Sequence, residues 1–401
     1  MTIAVDARVL PRPRDVLAEF GLYVHVPFCS SRCWYCDFNA YAGLDHFIDG
    51  YMEALVRDAE LALSAPDGAD LTERPPVTSI FIGGGTPSLV PAPAIARVIR
   101  AIRSAWCVVP GAEITIECNP ESLGASKLDA YLEAGVTRVS VGVQTLDPRL
   151  LASLGRTHSP RAAIEALKLA RAVGFENVSA DLIFGIPGED DVTWRTSLDG
   201  VLETGVSHVS AYALIYEDGT PLGSWRKLGK IVPVPDDDVA ARWELAASVL
   251  GDAGFERYEI SNWSRPGRAS RHNDLYWLCG EYLGIGAGAH SHLATTDGAV
   301  RSWTVKGPQR YVDTIAAERR PVAGSEPIDR STRASEVMLL GLRRAAGVSI
   351  PRFEELVGHP MDDVFGPQLV TALSRDLVTT VDGHIRLPRP LLANEAAVLF
   401  V

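Results

Sequence analysis

No stretch of the chain approaches the roughly 18 consecutive apolar residues that cross a bilayer, so a transmembrane helix is not expected. The opening MTIAVDARVLPRPRDVLAEF has no apolar core with a small-residue cleavage site, and it carries Asp6, Asp15 and Glu19. Neither a secretory signal nor a transit peptide fits, and residues 1–19 read as a separate N-terminal segment. Cysteine is scarce, six in 401 residues, too few for a disulfide scaffold and in keeping with a cytoplasmic home. Positive charge is in deficit, with 38 Lys plus Arg against 50 Asp plus Glu. The resulting −12 repels phosphate backbones and argues against nucleic acid as a partner. With 47% apolar and 22% charged residues the composition is that of a globular chain, which excludes disorder and collagen-like repeats. The length accommodates a large core and a smaller appendage.

What is present is organised by period. Between residues 20 and about 215, short β-branched or aromatic runs alternate with stretches of helical spacing, the pattern of parallel strands joined by crossover helices. Six strands are predicted: Leu22–Val26, Thr78–Ile82, Glu113–Cys118, Arg138–Val143, Val178–Phe184 and His208–Leu214. Phe47, Tyr51, Leu55, Ala59 and Leu63 mark one apolar helix face. Ser159 followed by Pro160 starts another helix, which stops at Gly174. Gly135, Gly174, Gly205 and Gly254 each sit where a helix ends and a strand begins. Six such units with right-handed crossovers curl into an open partial (β/α)6 barrel, with a doubly wound sheet as the alternative. IVPVPDDD reads as a connector to a helix beginning near Val239, and residues 255–305 are rich in Gly and aromatics. Toward the end, helices around Glu336, Phe353, Leu369 and Glu395 and a hairpin turning at Asp382-Gly383 suggest a small, helical, winged-helix-like domain. The expected divisions are 1–19, 20–305 and 306–401.

Cys29, Cys33 and Cys36 crowd into eight positions directly after the first predicted strand. Three thiolates on one loop can hold three irons of a cubane and leave the fourth open. A structural zinc normally closes with four ligands, and only His25 is near enough in sequence to be the fourth. A disulfide would leave one thiol over. Cys107, Cys118 and Cys279 are scattered and carry no assigned role. The C-x3-C-x2-C spacing with Tyr35 before the last cysteine resembles the radical S-adenosylmethionine (SAM) superfamily. That resemblance implies a 4Fe-4S cluster whose open iron binds the amino and carboxylate groups of SAM.

Further candidates fall at the carboxyl ends of predicted strands, where parallel barrels place their binding loops. Gly83-Gly84-Gly85-Thr86-Pro87 admits a ligand close to the backbone, and no Lys follows at phosphate-loop spacing. A plain Gly-Pro turn is the alternative. Glu117 ends the third strand, Gln144 follows the fourth, Arg156 lies on the next loop and Asp181 sits in the fifth. Singly each reads as a solvated polar residue, but together they share one register. A carboxylate can accept both ribose hydroxyls, and an arginine can pair with a carboxylate.

Over nearly the whole chain, YVHVPFCSSRCWYCDFNAY, FIGGGTPS, IECNP, RVSVGVQTL, LGRTH, DLIFGIPGE and YALIYEDGTPL resemble the oxygen-independent coproporphyrinogen III oxidase (HemN) family and its heme-chaperone branch, HemW. The match implies that Tyr23, Gly84 and Glu117 contact one SAM. It implies that Tyr35, Gly85, Thr86, Gln144, Arg156, Asp181 and Ala213 resemble contacts to a second, leaving one or two SAM molecules open. Where the oxidase branch has a further cysteine this chain has Phe38, and the oxidase's longer N-terminal extension is not seen. Both departures favour the chaperone branch.

His272-Asn273-Asp274-Leu275-Tyr276-Trp277 matches that branch's H-N-x-x-Y-W motif, which implies heme contacts for His272, Asn273, Tyr276 and Trp277. A neutral imidazole can ligate iron and aromatic rings can cover a porphyrin, although a histidine beside aromatics is more often structural. Arg268 and Arg271 are candidates for heme propionates or for plain solvated arginines. GIGAGAHSH lacks dinucleotide-loop order, and His290 and His292 either line a cleft or bond backbone. The expected function is a heme chaperone with a 4Fe-4S cluster and SAM, and no residue is assigned a catalytic role. Its partners are heme, acceptor hemoproteins including respiratory and membrane-bound ones, and an electron donor. The alternative is a radical SAM enzyme acting on a porphyrin, such as an oxygen-independent coproporphyrinogen III dehydrogenase.

Overall fold

The computed structural model describes residues 19–63, 76–295 and 298–401, so the expected N-terminal segment lies, apart from Glu19, outside the described residues. The strands in chain order are β1 (Phe20–Val26), β2 (Phe28–Cys29), β3 (Tyr41–Ala42), β4 (Val77–Gly84), β5 (Val108–Cys118), β6 (Arg138–Gln144), β7 (Asn177–Phe184), β8 (His208–Ala213), β9 (Glu256–Glu259), β10 (Asn262–Ser264), β11 (Glu281–Ile285), β12 (His290–Thr295), β13 (Gly298–Thr304), β14 (Val322–Asp329), β15 (Val348–Ser349), β16 (Thr379–Val381) and β17 (His384–Arg386). The α-helices are α1 (Ile48–Leu61), α2 (Ala92–Ala105), α3 (Ala125–Glu133), α4 (Pro148–Ser153), α5 (Pro160–Val173), α6 (Asp191–Leu202), α7 (Pro221–Lys227), α8 (Asp236–Asp252), α9 (Arg271–Trp277), α10 (Pro308–Ala316), α11 (Arg330–Gly341), α12 (Ile350–Val357), α13 (Met361–Ser374) and α14 (Ala393–Ala397).

The six predicted strands are β1 and β4 through β8, hydrogen-bonded in that order and all parallel. Period-2 alternation divides each strand between two environments. In β1, Phe20, Leu22, Val24 and Val26 are buried in the apolar layer beneath the helices, where Tyr51, Leu55 and Ala59 of α1 join them. Gly21 and His25 take the opposite face, against His272 and Gly84 respectively. Side chains from β4, β5, β6, β7 and β8 line one cavity with the loop after β1, so this part of the sheet is concave, the partial barrel expected. Helix α5 has the predicted stops: the Ser159 hydroxyl accepts from Ala162 N at 3.2 Å, and Gly174 ends it in the left-handed region at φ 118°.

The sheet is larger than expected. Strand β11 adds parallel to β1 and continues antiparallel through β12, β13 and β14, while β10 and β9 extend the far edge beyond β8, for twelve strands among the described residues. The chain leaves this sheet only after Asp329, and α10 packs in the same core through Tyr311 and Ile315. Residues from 308 to 329 therefore pack with the barrel, beyond the expected division at 305. A second core gathers Met338, Phe353, Leu369 and Phe400 around the antiparallel sheet β15-β17-β16, whose hairpin turns at Asp382-Gly383. Helix α8 begins at Asp236 rather than near Val239, because Asp236, Asp237 and Asp238 favour the positive end of the helix dipole. Among the described residues no helix is long and apolar enough to cross a membrane.

Candidate functional site

A cavity of about 600 Å³ runs through the barrel interior from the cysteine loop to α9. At its mouth, β2 and β3 pair side by side and close the base of the loop carrying Cys33 and Cys36. The loop is pinned elsewhere too. Trp34 N donates to Leu154 O at 3.0 Å, its ring meets Trp225 edge-on at 5.1 Å, and Asn39 Nδ2 donates to Ala287 O at 2.9 Å. All three cysteines are free, half-buried and face the cavity. Thr86 Oγ1 donates to Cys29 Sγ at 3.5 Å and Arg156 Nη1 to Cys33 Sγ at 3.4 Å, two donors placed to favour sulfur bearing negative charge. Burial, before anything else, raises the Cys29 thiol and pushes Cys36 up to about 11, so metal must displace protons here.

The donor set fits a cluster held by three thiolates. His25, the candidate fourth zinc ligand, has both ring nitrogens engaged: Nδ1 with Tyr23 Oη and Nε2 with Asn39 O, each at 2.9 Å. His25 is thereby committed to the protein rather than to a fourth position on zinc. Cys36 is followed by Asp37 and then Phe38, 60% exposed at the cavity mouth.

Beyond the loop come the strand ends. Gly85 lies so close to the loop that a Cβ there would stand 2.7 Å from Phe28 O. Gly84 N donates to Glu117 Oε2 at 3.0 Å, and burial, followed by a smaller contribution from Asp181, pushes the Glu117 carboxyl up to about 7. Gln144 closes β6 at φ 67°, a left-handed conformation costly for a side-chain-bearing residue and frequent at binding sites. Arg156 is gripped through Nη2 by Asn119 Oδ1 at 2.8 Å and Gly142 O at 3.0 Å. Asp181 accepts from Ser140, Ser179 and Ser210 at 2.7, 3.0 and 2.8 Å. Tyr35 and Ala213 complete the predicted set on the cavity wall.

Helix α9 crosses the amino ends of β1 and β4 and closes the floor. Gly21 makes room, since a Cβ there would meet Leu275 at 2.6 Å and His272 at 2.9 Å. The helix is capped twice: Ser270 Oγ accepts from Asn273 N at 3.3 Å, while Glu113 of β5 accepts from Arg271 N at 3.1 Å and His272 N at 3.2 Å. His272 is fully buried, with Nδ1 bonded to Ser79 Oγ at 2.8 Å and Nε2 to Tyr276 Oη at 2.9 Å. Burial drives it down to about 3, so the ring is neutral. Its ring stacks on Phe81 at 5.4 Å and Phe81 on Tyr23 at 6.2 Å, an aromatic column rising toward His25. A second line is polar. Asn273 Nδ2 donates to Tyr258 Oη at 3.4 Å, Tyr258 bonds His208 Nε2 at 2.8 Å, His208 Nδ1 bonds Ser179 Oγ at 2.8 Å, and Ser179 reaches Asp181.

The cavity thus brings together all three cysteines, Tyr35, Gly84, Gly85, Thr86, Glu117, Gln144, Arg156, Asp181, Ala213, His272, Asn273 and Tyr276. It leaves out two predicted contacts. Tyr23 is packed beside the cavity against His25 and Phe81, and Trp277 turns to the C-terminal unit, where the Arg343 guanidinium lies 4.7 Å over its ring. Neither Arg268, paired with Glu176 at 2.7 Å, nor Arg271 reaches the cavity. His290 stacks on Trp303, and His292 bonds Gly280 O through Nδ1 at 3.0 Å. Residue-by-residue reading missed Arg138, Ser140, Ser179, His208, Ser210 and Tyr258. All but Tyr258 recur every second position in otherwise apolar strands, a period-2 polar face that marks an inward wall.

Comparison with known proteins adds the following. The radical SAM superfamily model matches residues 23–199 and the HemN C-terminal domain model residues 328–390. Heme chaperone HemW of Mycobacterium tuberculosis is 42% identical over 372 residues, covering 91% of this chain and 92% of that protein. Its Bacillus subtilis namesake is 33% identical, covering 94% and 98%. The mitochondrial radical S-adenosyl methionine domain-containing protein 1 of Bos taurus is 36% identical, covering 86% and 78%. Among solved structures, coproporphyrinogen III oxidase (HemN) from Escherichia coli superposes with a TM-score of 0.79 at 21% identity, covering 96% of this chain and 90% of that one, which shows a shared fold.

Proposed function

The chain belongs to the radical SAM superfamily, in the family of the HemW heme chaperones, and from that premise we propose that it binds heme and hands it to acceptor hemoproteins in the cytoplasm or at a membrane surface. The observation that carries the reading is that one cavity is lined both by Cys29, Cys33 and Cys36 and by His272, Asn273 and Tyr276. When bound on the three thiolates, a 4Fe-4S cluster would supply an open iron for SAM and an exchangeable electron from a donor protein. Arg156 and Thr86 steady the ligating sulfurs, while Gly84, Gly85, Glu117 and Gln144 shape the wall a nucleoside would meet.

The heme surface we assign is Asn273 and Tyr276 at the cavity floor. His272 contributes by fixing Tyr276, because both its nitrogens are already bonded. Phe38, exposed at the mouth where the oxidase branch resembled above carries a cysteine, supports delivery over porphyrin oxidation.

The test is anaerobic reconstitution with iron and sulfide, followed on one sample by heme titration, transfer to an apo-hemoprotein, coproporphyrinogen III turnover and assay of 5′-deoxyadenosine. Stoichiometric heme uptake and transfer without porphyrin turnover is the expected result. Turnover with 5′-deoxyadenosine release would replace the chaperone by the enzyme reading, and zinc in place of iron and sulfide would overturn both.

A further inference from the structure

Arg138 opens β6 at the amino end of the barrel, in register with Thr115 of β5 and Asn177 of β7. It is 3% exposed, and what exposure it has faces the cavity. Its Nε has no hydrogen-bond partner, and among the described residues its guanidinium makes no hydrogen bond and has no carboxylate within ion-pair distance. The other two guanidiniums of the lining are held by the protein: Arg32 Nη2 donates to Cys36 O at 3.4 Å, and Arg156, although its Nε is likewise unpaired, is bonded through Nη1 to Cys33 Sγ and through Nη2 to Asn119 Oδ1 and Gly142 O. An enclosed cation lacking a counter-charge is costly and leaves five donors unused, a need that an anion entering the cavity would meet.

The surroundings define that anion. His208, Tyr258, Ser270, His272 and Asn273 share the floor with Arg138. His208 is held neutral by burial and, secondarily, by the Arg138 charge. Tyr258 Oη and Asn273 Nδ2 are in mutual contact at 3.4 Å and offer hydrogen bonds of either sense. Glu117 feels the Arg138 charge but stays beyond ion-pair distance, and it is occupied with Gly84 N. A planar guanidinium flanked by an amide and a phenol suits a carboxylate, which it can take by two parallel hydrogen bonds.

We propose that Arg138 anchors a carboxylate of the ligand held in the barrel, at the floor beside Asn273 and Tyr258. Two ligands of the reading above carry one that is free: a heme propionate or the methionyl end of a second SAM, since the carboxylate of the first goes to the open iron. The inference rests on that reading only for the source of the carboxylate.

The experiment uses reconstituted full-length chain and Arg138→Gln, titrated with two matched pairs: heme against heme dimethyl ester, and SAM against decarboxylated SAM. The expected result is that the native chain prefers one acid over its carboxylate-free partner by about tenfold or more, and that Arg138→Gln narrows the gap to about twofold. A gap in the heme pair that Arg138→Gln narrows identifies a propionate, and a gap in the SAM pair that Arg138→Gln narrows identifies a methionyl carboxylate. Absence of heme binding in every form sinks the chaperone reading while the SAM pair still reports on Arg138. If Arg138→Gln narrows the gap in neither pair, the proposal is overturned. Thermal melting of the ligand-free proteins guards against a structural explanation: with no internal partner to lose, Arg138→Gln melts no lower than the native chain, and a lower melt with intact ligand discrimination likewise overturns it.

Discussion

A carboxylate that accepts one backbone N–H at 3.0 Å and is otherwise enclosed keeps its proton to higher pH, as Glu117 does, rising from 4.5 to about 7 chiefly through burial. Between those values the folded chain holds a proton that the unfolded chain has shed. The contribution of Glu117 to stability is therefore fully present below pH 4.5 and is lost as pH climbs through 7, a loss on the order of 3 kcal/mol. Glu117→Gln, which keeps an acceptor for Gly84 N–H, is expected to melt like the native iron-free chain near pH 5 and several degrees higher at pH 8. Equal melting differences at both pH values would refute this. His272 makes the opposite prediction. Its removal strands Ser79 Oγ and Tyr276 Oη and leaves a void, so His272→Ala is expected to cost about 3 kcal/mol in urea unfolding of the heme-free chain. A side chain reserved for iron would leave that midpoint unmoved. The H-N-x-x-Y-W motif was legible as residue types, but which of them face a ligand was not. That depends on α9 lying across β1 and β4, a tertiary placement that Gly21 permits and no local spacing records.

At the scale of elements, legibility followed period length. Strands β1 and β4 through β8 were readable because each runs for six residues or more between clear helix stops. Strands β9, β10 and β11 were not, since they run for five residues or fewer, and β12 and β13, though at least as long as β8, follow a glycine-rich stretch rather than a helix stop, so only their neighbours in the sheet define them. The aspartates of α8 read as loop formers for the same local reason, yet they serve a helix N-terminus. Helix α9 is shorter than an isolated helix can sustain, so its order comes from tertiary capping by Glu113. Glu113→Ala removes the acceptor for two main-chain amides and is expected to cost about 1–2 kcal/mol. Hydrogen exchange across residues 271–277 should then accelerate while α1 and α5 keep native protection. Uniform acceleration throughout the chain would mean that Glu113 supports the whole barrel instead.

In the whole molecule, the C-terminal unit grips the cavity floor from outside. Three consecutive residues after α11 make the contact: Arg343 covers Trp277, Arg344 forks onto Asp274 at 2.7 and 3.0 Å, and Ala345 N donates to Tyr258 O at 2.9 Å. Trp277 and Asp274 belong to α9, and Tyr258 to the hydrogen-bond line reaching Asp181, so this short turn touches both supports of the floor. That explains why Trp277 occurs within a motif whose other aromatic side chain faces the cavity: it fastens the helix on its far side. A bidentate pair less than one-third exposed at either end should couple by about 1 kcal/mol, above an open surface pair and below a fully desolvated one. The test is a double-mutant cycle of Asp274→Ala and Arg344→Ala, read both by urea unfolding and by the rate of heme loss. If the C-terminal unit clamps the floor, each single variant releases heme faster and the double variant adds little to either. Strict additivity in stability with native heme retention would mean that the two units merely touch, and that the floor is held by Glu113 and the barrel alone.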